Sequence, residues 1–438
     1  MLRIDRLILR NYRCFKEFEI DFHPQVTILT ARNGQGKTAV LDALGLSLTP
    51  LLASFPEVFG QHISPDDVYL DNQVEDSVEA LYPCRVEVHG QVQGESAVWA
   101  RELRSHKGRT TNKDAQCLNR LAQHIQASIQ QRSGEPLPLL AHYGTDRLWN
   151  SIKLTSNKIA ANLKQSRLAG YVDCLNPASN FKWVQDWMGL RLQEYYQAKE
   201  SGTLDSNAML ASQLVWMGEI IRDFLQPVSA VDHLYYSWIR QELEVVIEGR
   251  TMAIERLSDG TRIVLGLVAD LTHRAIRLNP HLQNPMKETP GIVLIDEVDL
   301  HLHPEWQQQL VGQLQEAFPL VQFILTSHSE QVISTVHREQ VRLLDATATA
   351  ASLPELETYA GRSGQVLERV FAVDSRPPLP IVDKLNAYLE LVQTGQAEKT
   401  EATRLRKELD TSLGNDDPDL LRADAILARQ RITRGQSA

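Results

Sequence analysis

The segment from Ala31 to Thr38 reads Ala-Arg-Asn-Gly-Gln-Gly-Lys-Thr, and its residue types suit phosphate chemistry. It departs from the pattern G-x-x-x-x-G-K-[ST] at the first position, where alanine replaces glycine. In this pattern backbone N–H groups surround an anion, the lysine reaches the outer phosphates and the hydroxyl binds Mg²⁺. We therefore predict a nucleotide and Mg²⁺ as ligands, with Lys37 and Thr38 in those two roles. The rest of the phosphate cradle is predicted to be Arg32, Asn33, Gly34, Gln35 and Gly36.

Two carboxylates later in the chain would complete such a site. The apolar run 291–295 ends in Asp296 and Glu297, which is typical of a buried parallel strand that carries ligand-binding groups at its carboxyl end. There Asp296 would hold Mg²⁺, mostly through water, and Glu297 would polarise the water that attacks the γ-phosphate. A second run, 321–328, predicts another buried strand that ends in Ser327 and His328. A histidine at a strand end is more often structural, but this strand follows the acidic one by a single helix.

The neighbouring segments have the patterns of elements that would position these groups. Residues 25–30 predict a short buried strand, and residues 39–46 predict the first turns of an apolar helix. Taken alone, the loop between them could be a glycine-rich turn without a ligand, and a positive φ at Ala31 would be costly. A nucleotide site is favoured by the strand–loop–helix order, together with one strand that ends in two acids and another that ends in a histidine.

With these motifs in this order, the chain resembles the ABC-type ATPases, specifically the SMC/RecF/OLD branch. The resemblance covers roughly residues 1–50 and 245–345. The turn 257–261, Leu-Ser-Asp-Gly-Thr, is similar to the family's signature motif LSGGQ, with Asp259 and Thr261 as departures. The fold it implies is α/β: a P-loop ATPase head of the ABC/SMC type, with a mixed sheet flanked by helices.

The resemblance also implies roles for residues outside the phosphate loop. Ser258 and Gly260 would close over ATP held by a second subunit, so that two heads form a dimer around nucleotide, and hydrolysis would release them. His328 would be the switch histidine that senses the γ-phosphate. Residues 10–15, Arg-Asn-Tyr-Arg-Cys-Phe, resemble the family's NFRSF element, in which the arginine, here Arg13, approaches the nucleotide.

Three further segments narrow the resemblance. Residues 296–304 resemble the D-E-x-x-x-H-L-H-P segment of OLD-like ATPases, residues 143–147 form a Tyr-Gly-x-x-Arg element, and residues 361–378 form a connector that ends in Arg-Pro-Pro. Together they resemble the PtuA ATPases of Septu-type and retron-associated anti-phage defence systems. Whether Arg147 touches nucleotide or anchors its loop is left open. The resemblance implies an oligomer that works with an HNH nuclease subunit of the PtuB type and, in retrons, with a reverse transcriptase and its RNA/DNA product.

The predicted division of the chain follows the motifs and the composition between them. The middle of the chain is rich in Gln, Asn, Lys and Leu and predicts a helical insertion, while the end predicts two or three amphipathic helices. The predicted parts are 1–150, the N-terminal lobe of the head; 151–240, the helical insertion; 241–350, the C-terminal lobe; and 351–438, a connector and helical domain.

Composition limits the cellular setting. The 438 residues exceed one comfortable core, so two or three structural units are expected. Lys+Arg 45 against Asp+Glu 55 gives a net charge of −10, which excludes a uniformly basic nucleic-acid surface. No apolar stretch is long enough to span a bilayer, the first residues lack a signal-peptide pattern, and the four cysteines show no paired or metal-binding spacing. We expect a cytoplasmic protein with reduced thiols and no membrane contact.

One cluster of positive charge runs from Arg101 to Arg109, with the sequence Arg-Glu-Leu-Arg-Ser-His-Lys-Gly-Arg. It fits a solvated hairpin tip or, alternatively, a contact with the phosphate backbone of DNA or RNA. The sequence favours the solvated hairpin tip.

A nuclease within this chain is not expected. The D-x-D pair in the tail, Asp417 and Asp419, precedes a predicted helix and fits a helix-start turn better than a metal site. The runner-up function is a RecF-like ATPase that acts on DNA ends or gaps in repair and recombination. A transporter subunit is third, and the N-terminal element and the extra helices argue against it.

Overall fold

The computed structural model describes residues 2–55, 60–74, 77–145, 166–177, 181–203, 208–226, 231–237, 239–240 and 242–435. Arg147 lies outside the described residues. The chain divides into two compact units, Met1–Phe371 and Ala372–Ala438. The connector, which was predicted to belong with the tail from residue 351, lies largely in the first unit, because Val366 is buried in that unit's core.

The described strands are β1 (Leu2–Tyr12), β2 (Phe15–Asp21), β3 (Val26–Thr30), β4 (Leu70–Val74), β5 (Ser77–Ala80), β6 (Cys84–Val92), β7 (Glu95–Leu103), β8 (Leu139–Tyr143), β9 (Val231–Ser237), β10 (Glu242–Ile247), β11 (Arg250–Ala253), β12 (Gly291–Ile295), β13 (Val321–Thr326) and β14 (Val341–Leu343). The helices of the first unit are α1 (Lys37–Leu52), α2 (Gln116–Gln131), α3 (Phe181–Glu200), α4 (Ala208–Leu225), α5 (Asp259–Leu278), α6 (Pro285–Glu288), α7 (Pro304–Gln307), α8 (Leu310–Ala317), α9 (Glu330–Ile333) and α10 (Ser363–Val370). The second unit contains α11 (Pro380–Gln393), α12 (Thr400–Leu413) and α13 (Pro418–Gly435).

A five-stranded parallel sheet of order β14-β3-β13-β12-β8 forms the centre of the first unit. Four of its strands, β3, β8, β12 and β13, are buried along their whole length, which explains their nearly continuous apolar sequences. Because the strands are parallel, all their carboxyl ends meet at one edge of the sheet. The phosphate loop, Asp296 and the Thr-Ser-His run all follow strands at this edge.

The antiparallel strands form sheets of their own. Strands β2-β1-β6-β7 make a four-stranded sheet, and β6 alternates between buried and half-buried residues along its length, as its period-two sequence predicts. The α/β class is confirmed. The mixture of parallel and antiparallel strands that was expected is present, among the described residues, as a central parallel sheet with separate antiparallel sheets, because hairpin-connected strands pair with each other while parallel strands require long crossovers.

The helical insertion is described as α3 and α4. The range predicted to be helical, 151–240, also contains β9, which pairs antiparallel with β10, for example Leu234 with Val245. The β-branched and aromatic content of Val231–Ser237 suits such a strand.

Helix α1, which follows the phosphate loop, is bonded to the antiparallel sheet by a buried arginine. Pro50 lies inside α1 and has no N–H, so the carbonyl of Leu46 lacks its normal helical donor. The guanidinium of Arg101, on β7, donates to this carbonyl at 3.0 Å and also to the Gln61 carbonyl and the Asn112 side chain. Arg101 is therefore buried and is not part of the exposed basic cluster that the sequence suggested.

The second unit is a small helical assembly. Its three helices bury one side each around a shared core of Leu385, Tyr388, Val392, Ala402, Leu405, Leu409, Leu420 and Ala423. Among the helices that the structure describes, none has the length and apolar character needed to cross a membrane.

Candidate nucleotide-binding site

The phosphate loop joins β3, which ends at Thr30, to α1, which begins at Lys37. Within residues 31–38, φ is positive at Gly34 (79°) and Gly36 (90°), and Ala31 is not among the residues with positive φ. The cost expected for a left-handed alanine therefore does not arise, and this explains how the loop tolerates alanine at its first position.

Gly36 has a second reason to be glycine. A Cβ built on it would lie 2.3 Å from the ring of Phe15 and 2.7 Å from the Cys14 sulfur. The start of β2 is thus pressed against the phosphate loop, and only a residue without a side chain fits between them.

Lys37 is already turned inward. Its side chain is buried, and Nζ donates to the Ala31 carbonyl at 3.2 Å. Burial lowers the pKa of Lys37, and the negative charges of Asp296, Glu297 and Asp299 oppose this effect. The ammonium group is held inside the loop, where a phosphate would replace the carbonyl as its partner.

Three residues from distant parts of the sequence meet beside Lys37. Thr38 Oγ1 donates to Asp296 Oδ2 at 2.7 Å, and Thr326 Oγ1 donates to Asp296 Oδ1 at 2.5 Å. The pair Thr38–Asp296 is one hydroxyl and one carboxylate of the kind that coordinates Mg²⁺. Thr326 is a site residue that no motif identified; its place in the Thr-Ser-His run, at the end of a buried strand, was the available signal.

Glu297 has an unusual backbone. Its φ is +46°, which is uncommon for a residue with a side chain, and its N–H donates to Thr326 Oγ1 at 2.7 Å. The Thr326 hydroxyl therefore accepts from one acidic residue and donates to the other. Such a conformation is retained only where the surrounding bonds enforce it, and it is often found at functional sites.

The same cluster of charges contains an unsatisfied carboxylate oxygen. Asp299 Oδ1 is buried and has no hydrogen-bond partner among the described residues. His328 is half-buried; burial and the charge of Lys37 lower its pKa, while Asp299 and its neighbouring acids oppose the shift. A neutral imidazole beside an orphaned carboxylate oxygen fits a site that receives a cation and its water.

The outer residues of the loop are open to solvent. Arg32, Asn33 and Gly34 are exposed, whereas Gln35 is half-buried and its Oε1 accepts from the Ala346 N–H at 2.8 Å. The loop is thus anchored on the segment after β14, with its tip accessible to a ligand.

The signature-like turn lies at the start of α5. Ser258 is the N-cap of this helix, and its Oγ accepts from the Thr261 N–H at 3.3 Å. Gly260 packs so closely on the segment after Glu297 that a Cβ there would be 2.5 Å from the His301 carbonyl oxygen. Ser258 is exposed while Gly260 is buried, so the turn presents the serine outward and keeps the glycine against its own acidic segment.

A buried polar network connects α5 to the strand beside the acids. Asp270 Oδ2 accepts from the Tyr143 hydroxyl at 2.7 Å and from Arg274 Nε at 2.7 Å. The Tyr143 carbonyl in turn accepts from the Asp296 N–H at 2.8 Å. Tyr143 therefore contacts both parts of the site: its hydroxyl holds the helix of the signature-like turn, and its backbone carbonyl holds the N–H of Asp296.

Arg13 is bonded to acidic side chains. Its guanidinium donates to Asp42 at 2.6 Å and to Asp67 at 2.9 Å. Asp42 lies in α1, so Arg13 is tied to the helix that follows the phosphate loop. Its approach to nucleotide stays a prediction.

The D-x-D pair of the tail is explained by helix capping. Asp417 Oδ1 accepts from the N–H groups of Asp419 and Leu420 at the start of α13, and both carboxylates pair with Arg376. The pair therefore belongs to the start of a helix, as the sequence predicted.

Comparisons with known proteins agree with this geometry. A protein-family model for an AAA domain matches residues 6–207. The chain is 26% identical to the retron Ec83 probable ATPase of Escherichia coli over 482 aligned positions, which cover 96% of this chain and 85% of that protein. It is 24% identical to the retron Vc95 probable ATPase of Vibrio cholerae serotype O1 biovar El Tor, over 93% of this chain and 86% of that protein.

A shorter match relates the chain to a Septu protein. It is 41% identical to the Septu protein PtuA of Bacillus mycoides (strain KBAB4) over 76 residues, which are 17% of this chain and 10% of that protein. The predicted resemblance to retron and Septu ATPases is confirmed, as is the predicted enzyme class.

Proposed function

Because the chain is an ATPase that resembles the ABC/SMC type and is related to retron and Septu ATPases, we propose that it is the ATP-dependent regulatory subunit of an anti-phage defence complex. The observation that carries the proposal is the contact between Thr38 Oγ1 and Asp296 Oδ2, 258 residues apart in sequence. It supports an ATP–Mg²⁺ site at the carboxyl edge of the parallel sheet, as the motifs predicted.

The residues at this edge fit both ligands. The N–H groups of the loop and the start of α1 would hold the phosphates, and Lys37 would leave the Ala31 carbonyl to bind the outer ones. Thr38 and Asp296 would hold Mg²⁺, which neutralises charge on the phosphates. The orphaned oxygen of Asp299 supports a place for this cation and its water.

Hydrolysis would be the work of Glu297 and His328. The carboxylate of Glu297 would orient and polarise the attacking water. The Thr326 hydroxyl, which accepts from the Glu297 N–H, would hold the Glu297 backbone in place. The lowered pKa of His328 keeps its imidazole neutral near pH 7, so one ring nitrogen donates and the other accepts.

We further propose that two copies associate head to head around ATP. Ser258 is exposed at the N-terminus of the 20-residue helix α5, where unpaired N–H groups and the helix dipole favour an anion. In this arrangement Ser258 of one copy would contact the phosphates held by the other, the buried Gly260 would hold the turn against its own His301 carbonyl, and hydrolysis would separate the copies.

The relationship to retron and Septu ATPases supports a partner protein. We propose an HNH nuclease subunit of the PtuB type and, if the system is a retron, a reverse transcriptase with its RNA/DNA product. The ATP-driven dimer would restrain or position the nuclease. An HNH nuclease gene beside the gene for this chain would support the assignment.

The dimer is tested with Glu297→Gln, which should bind ATP but hydrolyse it slowly. With Mg-ATP its mass by light scattering should be twice the nucleotide-free mass, and adding Ser258→Arg should return the mass to the nucleotide-free value. Lys37→Ala, which should not bind ATP, is the control for nucleotide dependence. A Glu297→Gln protein that binds ATP without any change in mass would contradict the composite site.

A further inference from the structure

A loop far from the phosphate loop in sequence carries concentrated positive charge. Residues 104–113, Arg-Ser-His-Lys-Gly-Arg-Thr-Thr-Asn-Lys, contain four Lys or Arg residues and no acidic residue, in a chain with a net charge of −10. Residues 104–109 are all exposed. This segment, which we name the cationic loop, follows β7 and leads to α2.

The base of the cationic loop is fixed although its tip is exposed. The Thr111 N–H donates to the Glu102 carbonyl at 2.9 Å, and the Thr110 hydroxyl accepts from the Ile63 N–H at 3.0 Å. The Asn112 side chain accepts from the buried Arg101. The base of the loop is therefore already ordered, and ligand binding would cost little further backbone entropy there.

Most of these cations lack a carboxylate partner. Arg104 pairs with Glu102, but Lys107, Arg109 and Lys113 have no carboxylate within ion-pair distance in the described part of the chain. The arginine on the neighbouring strand differs, because Arg85 is neutralised by three carboxylates. The positive charge of the loop is left for an external anion.

We propose that the cationic loop binds the phosphate backbone of a nucleic acid. The loop contains no apolar side chain between residues 104 and 113, whereas the centre of a protein–protein interface is apolar and aromatic. It offers cations with hydroxyl, amide and backbone N–H donors, which are the groups that contact phosphates and sugars in nucleic-acid complexes. This contact would be independent of base sequence, and it is a second site that does not use the ATP-binding residues.

The proposal is tested by fluorescence anisotropy with labelled 30-nucleotide single-stranded DNA, duplex DNA and RNA, each titrated over a range of salt concentrations. The full-length wild-type chain should bind at least one probe. Lys107→Ala/Arg109→Ala/Lys113→Ala should weaken that binding by on the order of tenfold. The slope of log K against log salt should fall by about 2 to 3, since each lost phosphate contact contributes about 0.7 to 0.9.

A matched control removes the same charge from the second unit, where Lys399, Lys407 and Arg422 are exposed. Lys399→Ala/Lys407→Ala/Arg422→Ala should keep the wild-type affinity and slope. Equal losses in the two triple variants, or a loop variant that binds like wild type, would overturn the proposal. No binding of any probe by the wild type at 50 mM salt would also overturn it and would favour an acidic protein as the partner. ATP affinity, measured in parallel, separates failure here from failure of the ATP site.

Discussion

A single hydroxyl, that of Thr326, positions both acids of the candidate site. It donates to Asp296 Oδ1 at 2.5 Å and accepts from the Glu297 N–H at 2.7 Å, where the backbone is held at a φ of +46°. A hydroxyl has one donor and two acceptor sites, so it can serve both at once. The carboxylate of Asp296 and the backbone of Glu297 are therefore fixed before any ligand arrives.

Replacement of Thr326 by valine removes this hydroxyl with almost no change in shape. We expect Thr326→Val to lower ATP turnover by about 10- to 100-fold and to raise the Mg²⁺ concentration needed for half-maximal rate, because loss of a group that supports a metal ligand has effects of this size. Steady-state ATPase assays over a Mg²⁺ titration measure both. Thr326→Ser keeps the hydroxyl and should retain most of the activity; if serine and valine behave alike, the hydroxyl has no such role.

The two glycines of the phosphate loop should respond differently to alanine. Gly34 has open space around its Cα, so Gly34→Ala should cost only the left-handed backbone, about 1–2 kcal/mol. At Gly36 the new methyl would also meet Phe15 at 2.3 Å, so Gly36→Ala should abolish ATP binding. Calorimetric titration with ATP distinguishes the two, and similar affinities for both variants would mean that the Phe15 contact does not constrain the loop.

At the scale of elements, the candidate site depends on how α5 packs. Tyr143 fixes α5 through Asp270, while His273 on the same helix faces Trp187 of α3 at 4.7 Å between ring centroids. His273 is fully buried, and neither of its ring nitrogens has a hydrogen-bond partner among the described residues. Burial, with the charges of nearby arginines, lowers its pKa well below the ordinary value.

This histidine makes stability depend on pH. The unfolded chain takes up a proton below about pH 6.5, the ordinary histidine pKa, while the folded protein does not. Stability should therefore fall as pH drops below about 6.5, by up to about 1.4 kcal/mol per pH unit from this group. His273→Leu should flatten that dependence in denaturant unfolding at pH 5.5–7.5, and His281→Leu, at an exposed position, should not. Equal slopes for wild type and His273→Leu would refute the assignment.

Some of these elements could be predicted from the sequence, and others could not. The phosphate loop and β3, β12 and β13 were predictable, because their short apolar runs end directly in the polar residues that identify them. The bond between Tyr143 and Asp270 joins residues 127 apart, and although Tyr143 begins the Tyr-Gly-x-x-Arg element, nothing in that element points to Asp270. Likewise β9 was hidden, because its strand character depends on pairing with β10 after a long helical stretch. Contacts of this kind follow from tertiary packing, which a local pattern does not encode.

At the scale of the whole molecule, the two compact units differ greatly in size. The second unit has few buried residues, so each one contributes a large part of its stability. Leu409 is completely buried there, whereas Leu421 is 53% exposed.

Leu409→Ala should destabilise the second unit by about 2–5 kcal/mol, because it removes buried methyl groups and leaves a cavity. Hydrogen exchange should then speed up across α11, α12 and α13. Leu421→Ala is the matched control and should leave exchange nearly unchanged. Full protection of the three helices in the Leu409→Ala protein would show that another part of the unit determines its stability.

The guanidinium of Arg101 links the base of the cationic loop to helix α1. It joins Asn112, at the foot of the cationic loop, to the backbone oxygen of Leu46 that Pro50 deprives of its helical donor. If a bound polyanion moved the loop, this rigid, planar group would transmit the movement to the helix that starts at Lys37. Binding of a polyanion at the surface would therefore alter the phosphate loop without any rearrangement of the central sheet.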